Sequence, residues 1–220
     1  MLRIGTNNIF YLTLPAQKQS DELSQLLALL PVQSGERVRR IRREEDRRLS
    51  LWGELLARGA AACACGVQGA KLELAETASG KPFFPALSGF FFNVSHTPGA
   101  VAIAAADEPV GIDIERLRAA VPEVSKRCFA PGEMRRLARE SERKDELFWE
   151  VWTKKEAYFK RGGEGIFTEA MPRLDTARQK FARQIQSFWR DGYVISVCGG
   201  GTDKKWKFHT LTCPEAMRGI

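Results

Sequence analysis

Apolar side chains recur along the chain with characteristic periods, and each period predicts one kind of element. In residues 36–65 they return every three or four positions, which is the period of an amphipathic helix, and the pattern is interrupted at Glu45. We therefore predict a helix with a break or bend there. The same period over residues 23–30, 131–140 and 145–161 predicts three further helices.

Strands are predicted where β-forming residues run together or alternate with polar ones. Residues 90–95 and 101–106 are such runs, and a His-Thr-Pro-Gly turn joins them. Residues 110–115 alternate strictly, which gives the predicted strand one apolar and one acidic face. Three further strands are predicted over residues 184–189, 193–198 and 206–211. The mixed order of strands and helices predicts an α+β fold.

The composition is that of a protein with a well-packed core. The chain has 220 residues, of which 44% are hydrophobic and 28% charged, and this length allows a substantial core. No apolar run approaches the ~18–20 residues of a membrane span, and residues 1–11 lack the features of a secretory signal. We therefore expect a cytoplasmic protein with no membrane partner. The five cysteines and two histidines show neither zinc-binding nor disulfide spacing.

The formal net charge of +7 favours an anionic partner. Charge alone leaves open whether that partner is nucleic acid, a phosphorylated small molecule or an acidic protein. Arginines crowd the first half of the predicted helix over residues 36–65, at Arg37, Arg39, Arg40, Arg42, Arg43, Arg47 and Arg48. They form a solvated face paired with neighbouring acids, or they keep one or two side chains for an anion.

Asp113 and Glu115 stand two residues apart on a predicted strand, so both carboxylates project from the same face. Their mutual repulsion favours a cation between them, and a hard ion such as Mg²⁺ takes oxygen ligands of this kind. Gly111 leaves room beside them for a close approach. The alternative is a solvent-exposed edge of an amphipathic strand.

Trp152, Glu156 and Lys160 recur at intervals of four and therefore share one face of a predicted helix. With Lys154 and Lys155 beside them, this face suits a phosphate held next to a metal. A surface Glu–Lys pair is an equal alternative.

Two further residues are weak signals by themselves. His96 ends a predicted strand, where a ring can meet a ligand, although a lone histidine is more often structural. Lys81 lies in a Gly-Lys-Pro turn, where it either binds an anion or is an ordinary exposed lysine.

Four segments, taken in order, resemble the 4′-phosphopantetheinyl transferases of the Sfp type. They are G-K-P at residues 80–82, F-N-V-S-H at 92–96, V-G-I-D-I-E at 110–115 and W-T-K-K-E-A-Y-F-K at 152–160. The G-x-D-x-E and W-x-x-K-E-A-x-x-K motifs are highly specific at this separation. The resemblance extends over residues 36–165.

The resemblance implies an enzyme that moves the phosphopantetheine arm of coenzyme A onto a serine of an apo acyl or peptidyl carrier protein. The reaction would release 3′,5′-ADP and need Mg²⁺. The implied fold is a pseudo-dimer of two similar α+β halves, residues 1–108 and 109–220, with the active site in the cleft between them. We expect a monomer whose partners are coenzyme A and the carrier protein, without a nucleic acid partner.

The resemblance also implies roles for individual residues. The implied metal ligands are Asp113, Glu115 and Glu156. The implied catalytic residues are Glu156, Lys160 and Glu133, with Glu156 as the base that deprotonates the incoming serine. Coenzyme A contacts are implied for Arg37, Arg40, Gly80, Lys81, Pro82, Ser95, His96, Lys155 and Lys160.

Two other functions compete with the transferase as interpretations of the sequence. A basic nucleic-acid-binding module would use the arginines of residues 37–48, but it leaves the acidic and lysine motifs unexplained. An inactive carrier-binding homologue would lack a metal ligand, and all three implied ligands are present. We therefore favour the enzyme.

Overall fold

The structure, a computed structural model, describes residues 7–15, 22–163, 169–199 and 205–216, where strands and helices occur in mixed order. The strands are β1 (Asn8–Thr13), β2 (Ala75–Glu76), β3 (Pro82–Phe83), β4 (Phe91–Thr97), β5 (Ala100–Ala106), β6 (Val110–Arg116), β7 (Ile185–Arg190), β8 (Tyr193–Gly199) and β9 (Lys207–Leu211). The helices are α1 (Glu22–Leu27), α2 (Val32–Arg39), α3 (Glu44–Cys65), α4 (Pro122–Cys128), α5 (Pro131–Arg139), α6 (Lys144–Gly162), α7 (Gln179–Ala182) and α8 (Cys213–Ala216). The predicted α+β class is confirmed.

Two sheets make up the frame of the molecule. The first has the strand order β4, β5, β1, β9, and the second has the order β6, β8, β7. The chain crosses from the first sheet to the second in the turn at residues 107–109. β9 then returns to the first sheet and pairs with β1 in parallel, with Asn8 beside Lys207. The division into residues 1–108 and 109–220 stays a prediction.

The first sheet is covered on both faces, which explains why β5 is buried at every position. Alternate side chains of β1 enter two different cores. Phe10 and Leu12 pack in the core that contains α3, whereas Ile9 and Tyr11 pack in the core shared with the second sheet. β5 contributes its alanines at positions 100, 102, 104 and 106 to this second core. Because alanine is small, these positions let the two sheets approach closely.

The helix predicted over residues 36–65 is two helices in the structure, α2 ending at Arg39 and α3 beginning at Glu44. The first turn of α3 carries three acids, which suits the positive end of the helix dipole. Gly66 ends α3 with φ 69°, a left-handed conformation that glycine adopts without strain. No helix in the described ranges is long and apolar enough to cross a membrane.

Helix α6 packs on the face of the second sheet that carries the acidic residues of β6. Gly111 makes the close approach possible. A Cβ at this position would lie 2.0 Å from the backbone oxygen of Ala157 and 2.4 Å from the amide nitrogen of Arg161. The helix therefore rests directly on β6 next to Asp113.

We expect Gly111→Ala to lower the free energy of unfolding by roughly 2 kcal/mol or more, because the added methyl group must push α6 off the strand. Urea unfolding at neutral pH measures the change. Gly35→Ala in α2 is the matched control. The nearest atom to its added Cβ is the flexible Arg39 guanidinium at 3.3 Å, and alanine favours a helix. Equal stabilities of the two variants would contradict the packing argument.

Candidate active site

The two sheets meet at a seam between their edge strands β4 and β6. Asn93 Oδ1 accepts a hydrogen bond from the backbone N–H of Ile112 over 2.8 Å, and Ser95 Oγ accepts one from the N–H of Ile114 over 3.3 Å. Edge strands need partners for their outward N–H groups. Here polar side chains of β4 supply those partners in place of a backbone ladder, which fixes β6 against β4.

Lys160 crosses this seam and joins residues of both halves. Its Nζ lies 2.5 Å from Asp113 Oδ1 and 3.1 Å from Ser95 Oγ. Glu156 Oε2, one helical turn away, lies 3.9 Å from the same Nζ. Ser95 Oγ also donates to Asp113 Oδ1 over 2.8 Å, so its one donor and two acceptor sites are all used. We call Asp113, Glu115 and Glu156 together with Lys160 the carboxylate cluster.

The carboxylate cluster is largely withdrawn from solvent, which raises the pKa of Glu156 to about 7. Burial is the main cause, the charges of Asp113 and Glu115 add to it, and Lys160 opposes it. Burial alone would lower the pKa of Lys160, but the neighbouring carboxylates, led by Asp113, raise it overall. The side chains of Asp113 and Glu156 are only 6% and 4% exposed. This excludes both the solvated strand edge and the surface Glu–Lys pair.

Glu115 lies at the outer side of the carboxylate cluster. Burial, and then the charge of Asp113, raise its pKa, whereas a 3.0 Å ion pair with Arg118 lowers it. Thr97 Oγ1 lies 3.4 Å from the same carboxylate oxygen. The guanidinium of Arg118 stacks 3.7 Å from the ring centre of Trp149. Arg118 is thus a residue of the site that the sequence motifs did not single out.

A cavity of about 380 Å³ opens beside the seam, on the opposite face of β4, where Phe92, Val94 and His96 line it. Four residues expected to contact coenzyme A line it, namely Arg37, Gly80, Pro82 and His96. Its volume falls in the range of small-molecule sites. Desolvation and then the positive charge of Lys160 lower the pKa of His96, whereas Asp46 and Asp113 oppose the shift. Two of the charges that act on His96, those of Lys160 and Asp113, belong to the carboxylate cluster.

Arg37 is held at the cavity by two acids. It donates to Glu54 over 2.6 Å and to Glu76 over 3.1 Å. Glu54 is itself buried and also accepts two hydrogen bonds from the fully buried Arg58, over 2.9 and 2.7 Å. The Arg37 side chain remains 41% exposed. It is a fixed cation that keeps access to a ligand.

Models of known protein families match both halves of the chain. The family model of the 4′-phosphopantetheinyl transferase superfamily matches residues 109–212, and the model of the transferase N-terminal part matches residues 17–108. The chain is 31% identical to the 4′-phosphopantetheinyl transferase psf-1 of Bacillus pumilus over 215 residues, covering 92% of this chain and 91% of that protein. The chain belongs to the 4′-phosphopantetheinyl transferase superfamily.

Two relatives in this superfamily, both from Bacillus subtilis, align over a shorter stretch. One 4′-phosphopantetheinyl transferase is 33% identical over 146 residues, which is 66% of this chain and 65% of that protein. The 4′-phosphopantetheinyl transferase Sfp of strain 168 is 27% identical over 157 residues, which is 71% of this chain and 69% of that protein. These alignments span about two thirds of the relatives' length. The resemblance to Sfp-type transferases is confirmed.

Superfamily membership raises the question of whether the residues fit a metal ion. Within the described ranges, no three His, Cys, Asp or Glu side chains are arranged as a metal cage. However, Asp113 Oδ2 and Glu156 Oε1 are buried without a hydrogen-bond partner in the described part of the chain. Buried carboxylate oxygens of this kind call for a cation, and Mg²⁺ takes oxygen ligands. The donor set therefore fits a hard dication, although Lys160 already neutralises part of its charge.

Two of the residues that the superfamily motifs implied, Glu133 and Lys155, lie outside the carboxylate cluster. They form a fully buried ion pair of 2.8 Å. Thr176 donates its amide and hydroxyl to Glu133, and Lys155 also donates to the backbone oxygens of Met171 and Leu174. Successive residues of a helix point about 100° apart around its axis. Lys155 therefore cannot share the helix face that Glu156 occupies. Their catalytic and coenzyme A roles stay predictions, and the structure gives both residues a packing role.

Lys81 and Arg40 lie outside the carboxylate cluster, and neither lines the cavity beside the seam. Lys81 does not line the cavity beside the seam, and its ammonium instead donates hydrogen bonds to three backbone oxygens. Arg40 is exposed at the C-terminal end of α2 and is not among the cavity-lining residues described above. The coenzyme A contacts expected of both residues stay predictions.

The raised pKa of Glu156 predicts a pH-dependent stability in metal-free protein. The unfolded chain loses this proton near the ordinary value of 4.5 and the folded chain near 7. Between these pH values the folded state binds more protons, so the free energy of unfolding falls as the pH rises. Glu156→Gln removes this titration. Its stability relative to wild type should rise across this window by on the order of 3 kcal/mol.

Urea unfolding in EDTA at several pH values measures this difference. Glu123→Gln is the control, because Glu123 is exposed on α4, and it should follow the wild-type curve. A difference between Glu156→Gln and wild type that stays constant from pH 4.5 to 7 would contradict the titration of Glu156 in this range.

Proposed function

We propose that this protein transfers the 4′-phosphopantetheine arm of coenzyme A to a serine hydroxyl of an apo acyl or peptidyl carrier protein, in a Mg²⁺-dependent reaction that releases 3′,5′-ADP. The observation that carries the proposal is the buried carboxylate cluster with its lysine, placed at a seam beside a cavity that presents a fixed arginine. Both features suit a diphosphate with a nucleotide attached. Superfamily membership supports the same reaction.

Glu156 is the residue suited to deprotonate the incoming serine. In the metal-free protein, burial and the neighbouring carboxylates raise the pKa of this carboxyl to about 7, so that it is partly ionised at neutral pH and can act as a base. Its Oε1 has no hydrogen-bond partner in the part of the chain that the structure describes, so it is the oxygen that would accept that proton. Lys160 carries its positive charge next to the same carboxylate and can stabilise the charge that develops on the transferred phosphoryl group.

Asp113, Glu115 and Glu156 are the residues that would hold Mg²⁺. The ion would neutralise charge on the phosphoanhydride during attack by the hydroxyl. Ser95 orients Asp113 through its 2.8 Å hydrogen bond, and Arg118 orients Glu115 through its ion pair.

The cavity beside the seam is suited to the nucleotide end of coenzyme A. Arg37 offers a cation for the 3′-phosphate, and Gly80 and Pro82 shape the adenine side. His96 lines the same cavity and experiences the positive charge of Lys160. The net charge of +7 favours polyanionic coenzyme A and an acidic carrier. We propose a cytoplasmic monomer with these two partners.

Nucleic acid binding is the rival that the arginines of residues 37–48 raised. Two of these arginines have internal uses, which weakens it. Arg47 donates to the backbone oxygen of Ile41, and Arg48 donates to that of Pro15. We therefore propose no nucleic acid partner.

Intact-mass analysis of apo carrier proteins tests the proposed reaction. Acyl and peptidyl carriers are incubated with the protein, coenzyme A and Mg²⁺, with an EDTA control. The expected result is a metal-dependent gain of one phosphopantetheine arm on the carrier. No gain on any of several diverse carriers, together with no binding of coenzyme A by calorimetry, would contradict the proposal.

Substitution of two of the lysines on α6, Lys160 and Lys154, compares the carboxylate cluster with the surface of the helix. Lys160→Met should slow transfer by about a hundredfold, because it removes the cation beside Asp113 and Glu156. Lys154→Met is the matched control. Lys154 pairs with Glu150 on the same helix, and loss of such a partly exposed pair should change the rate by less than about threefold. Equal losses in single-turnover rates would contradict the assignment of Lys160.

A further inference from the structure

Lys81 extends from the turn that joins β2 to β3 and reaches the second half of the molecule. Its Nζ donates hydrogen bonds to the backbone oxygens of Val110, Lys160 and Arg161, over 2.8, 2.9 and 3.1 Å. A lysine ammonium has three N–H groups and no acceptor. Every donor of this side chain is therefore used on main-chain carbonyls.

The three carbonyls lie at the end of α6 and at the start of β6. Two of them belong to the last turn of α6, where backbone oxygens lack partners four residues further along and the helix dipole is negative. The third belongs to the first residue of β6. One ammonium thus ties the end of the helix that carries Glu156 and Lys160 to the start of the strand that carries Asp113.

The turn that presents Lys81 is itself well ordered by hydrogen bonds. Lys81 N donates to Thr77 Oγ1 over 3.0 Å, and its backbone oxygen accepts from Thr77 N over 2.9 Å. Gly80 takes φ 79° in this turn, a conformation that favours glycine. The turn also lies against the end of α6, because a Cβ on Gly163 would be 3.0 Å from Ser79 Oγ. The lysine is held at both its backbone and its ammonium.

The surroundings of the ammonium agree with a fixed position. Burial, and then the charge of Arg161, lower the pKa of Lys81 to about 8. A cation that is desolvated in this way depends on its hydrogen bonds. To contact a phosphate oxygen, the ammonium would have to give up at least one of the three carbonyls.

We propose that Lys81 is a positioning residue that clamps the last turn of α6 to β6, and so holds Glu156 and Lys160 against Asp113, rather than a phosphate contact. This inference rests on the proposed transfer reaction for its effect on rate. The clamp itself is a property of the fold.

Lys81→Met tests the clamp, because methionine has a similar unbranched shape without the three donors. Amide hydrogen exchange by mass spectrometry should become about tenfold faster in peptides that cover residues 157–163. The kcat for transfer should fall by about tenfold or more, since small displacements of reacting groups are costly. The Kd for coenzyme A, measured by calorimetry, should stay within about threefold of wild type.

Two further variants complete the test. Lys126→Met removes an exposed lysine of α4 and should leave exchange, kcat and Kd at wild-type values. Lys81→Arg keeps the charge and is the variant to use if the methionine protein does not fold. A planar guanidinium cannot converge on three carbonyls as an ammonium does, so its kcat should also fall while its Kd for coenzyme A is kept.

Unchanged exchange at the end of α6 would overturn the clamp. So would an unchanged kcat combined with an approximately tenfold weaker binding of coenzyme A, which is the result expected of a phosphate contact. Hydrogen exchange and coenzyme A binding need no carrier protein. If wild-type protein transfers to no carrier, the proposed function fails, and the exchange measurement still decides the clamp.

Discussion

The side-chain seam between β4 and β6 is the constraint on which the site depends. β6 is an edge strand, and its outward N–H groups at Ile112 and Ile114 are bonded by Asn93 and Ser95 instead of by a neighbouring backbone. Side chains on alternate positions of β4 thus set the register of a strand in the other sheet. Because Asp113 lies between the two bonded residues, its carboxylate is placed by the same contacts that join the halves.

The seam also concentrates charge in a place with little solvent. The carboxylates of Asp113, Glu115 and Glu156 meet there because Gly111 lets α6 rest on β6. Lys160 balances part of this negative charge. Burial and the neighbouring carboxylates nevertheless raise the pKa of Glu156 to about 7. Asp113 Oδ2 and Glu156 Oε1 still lack a hydrogen-bond partner among the described residues. A site of this kind retains a charge imbalance that a cation and a phosphate can use.

Much of this arrangement could be predicted from the sequence, since local patterns determine it. Strict alternation placed Asp113 and Glu115 on one face of a strand, and the i, i+4 spacing placed Glu156 and Lys160 on one face of a helix. Long-range partners could not be read in this way. The seam role of Asn93 was missed, although polar residues at 93, 95 and 97 alternate along β4 and could have suggested it. Hydrogen-bond partners distant in sequence become neighbours only through the fold.

The cavity and the carboxylate cluster together form the single coenzyme A site that we propose. A crystal structure of the protein with coenzyme A and Mg²⁺ tests it most directly. We expect the nucleotide in the cavity lined by Arg37 and His96, the diphosphate beside Lys160, and the metal on Asp113 and Glu156. Coenzyme A bound elsewhere on the molecule, with no metal ion on these two carboxylates, would contradict the account.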